Sequence, residues 1–362
     1  MSIQEYKNLK ETIELEVKKS SNVFIVGHNS PDFDSIGSAI GLYRIVYALG
    51  KKAYIIVDDN EVMIESGVKR ILKEYDEEYR FIKKSDLPKY KNKRSSLIVT
   101  DVNKKNMISV GDMLDTFRSI IVIDHHTEDE NTIETNNKFI NLESSSASEI
   151  VGKLICMLKI KCGAKVANAL LAGISLDTKR FKQNTTSTTH DVAEKLINNG
   201  ADIDYVNSLF LEEFDSFCRI SNLIINGTTI QKYSEDLLAP IQVSFTLNRN
   251  NPHEINLKED YAKAADRMMK FYGIDAAIAL GYIDEENVHI SARSGKKVDV
   301  SKIMTAIGGG GTPTAAGCRI ETDDILKLEE EIMKNIELGI SEEEKVYEKP
   351  KTVKVKQKNK KN

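Results

Sequence analysis

Carboxylates and imidazoles cluster at the ends of apolar runs in this sequence. His28, Asp32 and Asp34 follow the run NVFIVG, Asp101 follows SLIVT, and Asp124-His125-His126 follows SIIVI. A single Asp at such a place is most often a loop residue or a helix N-cap. Capping does not account for three separate run ends all bearing such groups. Several carboxylates mixed with imidazoles suit manganese, iron or zinc, and octahedral manganese fits them best. Asp32 and Asp34, two residues apart, can each face a different ion, and Asp101 is placed to bridge them. Two ions about 3.5–4 Å apart generate hydroxide near neutral pH and stabilise an in-line displacement at phosphorus. The reaction class this predicts is hydrolysis of a phosphate ester or anhydride.

Positioning these groups takes a particular framework. Asn22–Gly27, Ala53–Val57, Ser96–Thr100 and Ser119–Ile123 are near-continuous apolar runs, as expected of strands buried on both faces. Helical patterns over Ser35–Leu49 and Val62–Tyr75 alternate with them, which predicts a parallel sheet with covering helices. In such sheets ligands bind outside the carboxyl ends of the strands, so the run-ending ligands would converge on one cleft. A helical extension follows over Glu149–Leu158, Ala164–Leu176 and His190–Asn198. A second alternation then predicts strands Leu238–Phe245, Asp275–Tyr282, Val288–Ala292 and Ala316–Ile320, with helices Leu257–Phe271, Ser301–Ala306 and Asp323–Leu338. The expected architecture is α/β, with a parallel-sheet domain over 1–225, a smaller α/β domain over 226–340, and a tail over 341–362.

Charge narrows the partners. The chain has 362 residues and a formal charge of −4, yet from Lys349 onward it carries seven lysines and no acid. Residues 1–348 therefore hold −11, a poor field for long nucleic acid, whose binding needs basic surface that releases counterions. A small phosphorylated ligand remains compatible. The tail, without an apolar face, reads as a disordered, solubilising end. No apolar run is long enough to cross a membrane, and the acidic, amphipathic start does not read as a signal peptide, so the expected location is cytoplasmic. Cys156, Cys162, Cys218 and Cys318 form no metal-ligand spacing and are expected as free thiols.

The blocks His28…Pro31-Asp32-Phe33-Asp34-Ser35-Ile36-Gly37-Ser38, Asp101 and Asp124-His125-His126, with Leu170–Thr178 as a fourth, resemble the DHH phosphoesterase superfamily over residues 18–335. The resemblance implies one ion held by His28, Asp32 and Asp101 and another by Asp34, Asp101, His125 and Asp177. Asp177 enters the set on resemblance alone. Asp124 would orient His125, and His126 would face the scissile phosphate as donor or general acid. Ser291-Ala292-Arg293-Ser294 and the glycine run Gly308–Gly311 leading to Thr312 resemble the DHH-associated substrate-binding domain. There Arg293, Ser294, Gly309, Gly310, Gly311 and Thr312 would hold substrate, the arginine as a planar fork and the glycines as an anion nest.

Within the superfamily, GHNSPDFDSIGSAIGL, LLAGISLDTKRF and HISARSGKKVDVSKIMTAIGGGG are most similar to the cyclic-di-AMP phosphodiesterases of the GdpP type. That resemblance implies manganese-dependent hydrolysis of cyclic di-AMP to linear pApA, and leaves a homodimer open. An oligoribonuclease or pAp phosphatase is the alternative, and a non-catalytic cyclic-dinucleotide sensor a third reading. A family II inorganic pyrophosphatase shares a similar first block but would need a basic cluster where this chain has glycines. Thr312 departs from the pattern, which usually has His after the glycine run. Its hydroxyl can donate a hydrogen bond but carries no charge.

Overall fold

The computed structural model describes residues 3–57, 66–233 and 237–344, so the lysine-rich tail and part of the expected helix from Val62 lie outside the described residues. Two compact units divide the chain, Met1–Leu211 and Glu212–Asn362. This is earlier than a 225/226 boundary, and the reason is a helix, Phe214–Gly227. Its Arg219 Nε meets the buried Asp260 carboxylate at 2.7 Å, and its Ile220 and Leu223 pack with Tyr261, Ala264 and Ala265. Cutting it from the second unit would strand a buried charge.

The first unit is built on six parallel strands: β1 Asn22–Val26, β2 Lys52–Val57, β3 Phe81–Lys83, β4 Ser96–Thr100, β5 Ile120–Asp124 and β6 Lys138–Ile140, in the order β3-β2-β1-β4-β5-β6. Alternate side chains explain why the runs are apolar throughout. Val23 and Ile25 enter a core shared with helices Phe33–Ala48 and Ala164–Asp177, whereas Phe24 and Val26 enter a second core with Leu87, Val110 and Phe117 on the other face. β3 and β6 are three-residue edge strands, too short to register as apolar runs.

Helices Phe33–Ala48 and Ala164–Asp177 touch backbone to backbone. A Cβ on Gly37 would sit 2.3 Å from the Ala169 carbonyl oxygen, and one on Gly173 would sit 2.8 Å from Asp34 Oδ1. Only glycine allows this approach, and the approach brings Asp34 towards Asp177 at the other helix's end.

The second unit holds β7 Thr228–Tyr233, β8 Ile241–Thr246, β9 Ala276–Tyr282, β10 Asn287–Ser294, β11 Gly310–Thr312 and β12 Ala315–Glu321, in the order β11-β12-β10-β9-β8-β7. Among these described strands β8 and β9 pair parallel, and the other neighbours are antiparallel. Helix Lys258–Met268 packs on Ala277 and Ala279, while Val300–Ala306 and Ile325–Lys334 cover Ile278, Ile290 and Ala292. The four cysteines are free thiols. Among the described residues no helix is long and apolar enough to cross a membrane.

Candidate metal centre

Asp101 sits one residue beyond β4 with φ +58, a left-handed conformation that Asp tolerates better than most residues. Its amide donates to the Ile123 carbonyl of β5 at 3.0 Å, which pins the turn, and its side chain is 3% exposed. The two carboxylate oxygens face opposite ways. Oδ2 lies 3.4 Å from His28 Nε2, and Oδ1 lies 3.4 Å from His125 Nε2.

On the first side, His28 Nε2 also lies 3.6 Å from Asp32 Oδ2. Asp32 is the N-cap of helix Phe33–Ala48, its Oδ1 accepting from the amides of Asp34 and Ser35 at 2.9 and 3.0 Å. One oxygen thus starts the helix, and the other stays turned to His28. On the second side, His125 Nε2 lies 3.7 Å from Asp34 Oδ2 and 3.2 Å from Asp177 Oδ2.

Asp34 is fully buried, and a second helix start keeps its carboxylate in place. The amides of Ala147 and Ser148, opening helix Ala147–Met157, donate to Oδ2 and Oδ1 at 2.7 Å each. These free amides of a helix N-terminus satisfy an anion well. Sequence reasoning missed this partner, although Ser146, which caps that helix, was a legible signal of its start.

Burial penalises the charge on Asp34, and the neighbouring Asp101 and Asp177 repel it, so its pKa is raised well above the carboxylate range. Burial also raises Asp177, with His125 opposing. For Asp101 burial acts in the same direction, but His125 and His28 outweigh it and hold its pKa at about 2. Burial would lower both histidines; instead Asp101 with Asp32 lifts His28 to about 10, and Asp101 with Asp177 lifts His125 to about 11.

These groups fit a cation. His28, Asp32 and Asp101 form one set, and Asp34, His125 and Asp177 another, with ligand atoms within 4.8 Å of one another in each. Separations of 3.2–3.7 Å between nitrogen and oxygen are long for hydrogen bonds and suit neighbouring ligands about 2.0–2.2 Å from a shared ion. Among the described residues, Asp101 Oδ1 and His125 Nε2 are moreover buried without a hydrogen-bond partner, an arrangement that is costly unless a cation lies between them.

Asp124 differs from its expected part. Its Oδ1 accepts from the backbone amide of His125 at 2.8 Å and sits 2.9 Å from Nδ1 of His126, so its carboxylate orients the His126 ring and not that of His125. Asp124 closes β5 and the chain turns at once, which brings the ring two residues on back over it. His126 is half-exposed, and Asn103 Nδ2 donates to its carbonyl at 3.0 Å. A pocket of about 550 Å³ opens beside His125, His126 and Asp177, walled by Leu142–Ser145 and Asn184–Thr186.

The remaining expected site residues lie in the second unit. Arg293 and Ser294 end β10 against the β11–β12 hairpin, where Ser294 Oγ donates to the Pro313 carbonyl at 3.0 Å. Arg293 Nε is 2.8 Å from Asp266 Oδ1. The glycine run does not form a nest: Gly310, Gly311 and Thr312 pair with Gly317, Ala316 and Ala315 as an edge strand. The Thr312 hydroxyl is 3.2 Å from both the carbonyl and the amide of Ala315, closing the Pro313-Thr314 turn. Backbone pairing of small residues has won over the open loop that glycine runs suggest.

Fold and site together define a DHH-type α/β protein. Residues 22–174 match the DHH family N-terminal domain and residues 243–338 match the DHHA1 domain, and the chain belongs to this family. It is 33% identical over 312 residues to the cyclic-di-AMP phosphodiesterase GdpP of Bacillus subtilis (strain 168), covering 84% of this chain and 46% of that one. The chain thus spans about half the length of the GdpP-type relatives it matches. It is 27% identical to the bifunctional oligoribonuclease and PAP phosphatase NrnA of Thermus thermophilus, over 87% of this chain and 89% of that one. A crystal structure of an exopolyphosphatase-related protein from Bacteroides fragilis shares the fold, with a TM-score of 0.71 at 19% identity over 92% of this chain and 97% of that one.

Proposed function

We propose that the chain hydrolyses a phosphodiester with two divalent ions, manganese by preference, and that its substrate is cyclic di-AMP, opened to linear pApA. The split of the Asp101 carboxylate between His28 and His125 supports the two-ion reading, because one oxygen is available to each ligand set. His28, Asp32 and Asp101 would hold one ion, and Asp34, Asp101, His125 and Asp177 the other. Such ions, when bound, activate water and neutralise charge on the phosphoryl oxygens. His126, its Nδ1 engaged by Asp124, turns Nε2 outward to donate a proton to the departing oxygen. Arg293, Ser294 and the Gly309–Thr312 hairpin are the proposed substrate contacts of the second unit.

Asp124→Asn tests the role of the Asp124–His126 pair. The amide no longer stabilises a charged imidazole, so kcat is expected to fall roughly 10- to 100-fold, with manganese affinity little changed. Steady-state kinetics paired with a manganese titration checks this, and an unchanged kcat removes His126 from the reaction.

The 33% identity to GdpP favours the cyclic substrate. A second reading, a trimmer of short oligoribonucleotides or a pAp phosphatase, draws on the match to NrnA over nearly its whole length. A panel of cyclic di-AMP, pApA and pAp with manganese discriminates them. Cyclic di-AMP is expected to have the highest kcat/KM; a higher value for pAp or pApA selects the second reading. EDTA is expected to abolish turnover, with manganese restoring it and raising Tm through binding to the folded state. Turnover that survives EDTA would exclude the metal mechanism. Tight binding of cyclic di-AMP without product would mark a sensor.

A further inference from the structure

Glu149 lies outside the cluster and is 2% exposed, yet among the described residues none of its hydrogen-bond partners is a cation. Its Oε1 accepts from Ser144 Oγ at 2.8 Å. Its Oε2 accepts from Ser145 Oγ at 2.7 Å, the Ser145 amide at 3.2 Å and Thr189 Oγ1 at 2.6 Å. Ser144 and Ser145 belong to one wall of the pocket beside the cluster. Thr189 reaches the other wall, since its Oγ1 accepts from the Thr186 amide at 2.9 Å inside a capping box. A single buried carboxylate therefore ties both walls together. It does so from the helix start whose first amides hold Asp34, so wall spacing and cluster share one rigid support.

The pocket has a definite chemistry. Besides the cluster residues, its lining includes Ser144, Ser145, Asn184, Thr185 and Thr186, and among the described residues no lysine or arginine lines it. Away from the cluster, these neutral donors and acceptors beside an acidic group, Glu143, offer no charge to pair with a phosphate and suit a neutral hydrogen-bonding group. We infer that Glu149 is a positioning residue that sets the width of this pocket, and that the pocket seats a nucleoside portion of the substrate next to the scissile phosphate. This inference rests on the phosphodiesterase reading. A buried carboxylate kept only for stability would serve every ester equally; one that spaces a nucleoside pocket matters only for esters that fill it.

The test compares cyclic di-AMP with bis(p-nitrophenyl) phosphate, an ester with no nucleoside, in the manganese-loaded 362-residue chain. Glu149→Gln replaces two accepting oxygens by one and adds a donor facing hydroxyls. Its kcat/KM for cyclic di-AMP is expected to fall at least ~10-fold further than for the small ester, chiefly through KM. Thr189→Val, which frees one wall only and adds no polar group, is the second variant should the first fail to fold; the same selectivity in smaller degree is expected. Equal losses on both esters, or an unchanged KM for cyclic di-AMP in the folded variants, overturn the role of Glu149. A wild-type protein that cleaves neither ester fails on the function itself, and the inference falls with it.

Discussion

Asp101→Asn is expected to lower manganese-dependent phosphodiester turnover by about a thousandfold or more, roughly 4 kcal/mol of transition-state stabilisation, in a protein that still folds. Among the described residues the carboxylate is the one acidic group close to both His28 and His125, so its loss weakens both ligand sets at once. Asparagine retains the shape and tolerates the +58° φ of this turn, which alanine does not, so backbone strain stays out of the comparison. It removes the negative charge that the two imidazoles face. The stoichiometry of manganese binding, followed by titration calorimetry, should fall below that of the wild type in parallel with activity. Wild-type turnover in this variant would sink the bridging role.

The second large effect is expected from Gly173→Ala, away from any ligand. On propensity alone alanine stabilises a helix interior over glycine by about 1 kcal/mol. Here the added Cβ would lie 2.2 Å from Ser148 Oγ, 2.8 Å from Asp34 Oδ1 and 2.9 Å from Asp34 Cα. Two of these atoms belong to the buried residue held by the Ala147 and Ser148 amides, so nothing nearby moves aside cheaply. Overpacking costs roughly 1–3 kcal/mol, and contacts of 2.2–2.9 Å put this one in the upper part of that range, about 2–3 kcal/mol, so it outweighs the propensity gain. A net loss of about 1–2 kcal/mol in urea unfolding is expected. Displacement of Asp34 by even ~1 Å is expected to reduce kcat by ~100-fold. A variant at least as stable as the wild type would show that the helices separate freely, and that the close crossing does not position Asp34.

The sequence by itself determined the parallel sheet, since strands covered on both faces must be apolar at every position, as Val23, Phe24, Ile25 and Val26 are. It also determined which groups stand beyond the strand ends, because His28, Asp101 and His125 follow where the apolar runs of β1, β4 and β5 stop. Short edge strands such as β3 and β6 left no pattern, and the expected 225/226 boundary falls inside helix Phe214–Gly227, whose partner Asp260 is distant in sequence.

Only the tertiary structure decided the partners. Which ring Asp124 holds depends on the turn after β5 and not on adjacency in the chain, and it is His126. That the glycine run becomes the edge strand β11 depends on β12 being there to pair with it. The two helix amides on Asp34, the division of Asp101 between two histidines, and the Glu149 tie across the pocket join residues far apart in the chain. Residue type and local spacing name the groups able to do chemistry, but burial, distance and hydrogen-bond direction belong to pairs that only the folded chain brings together.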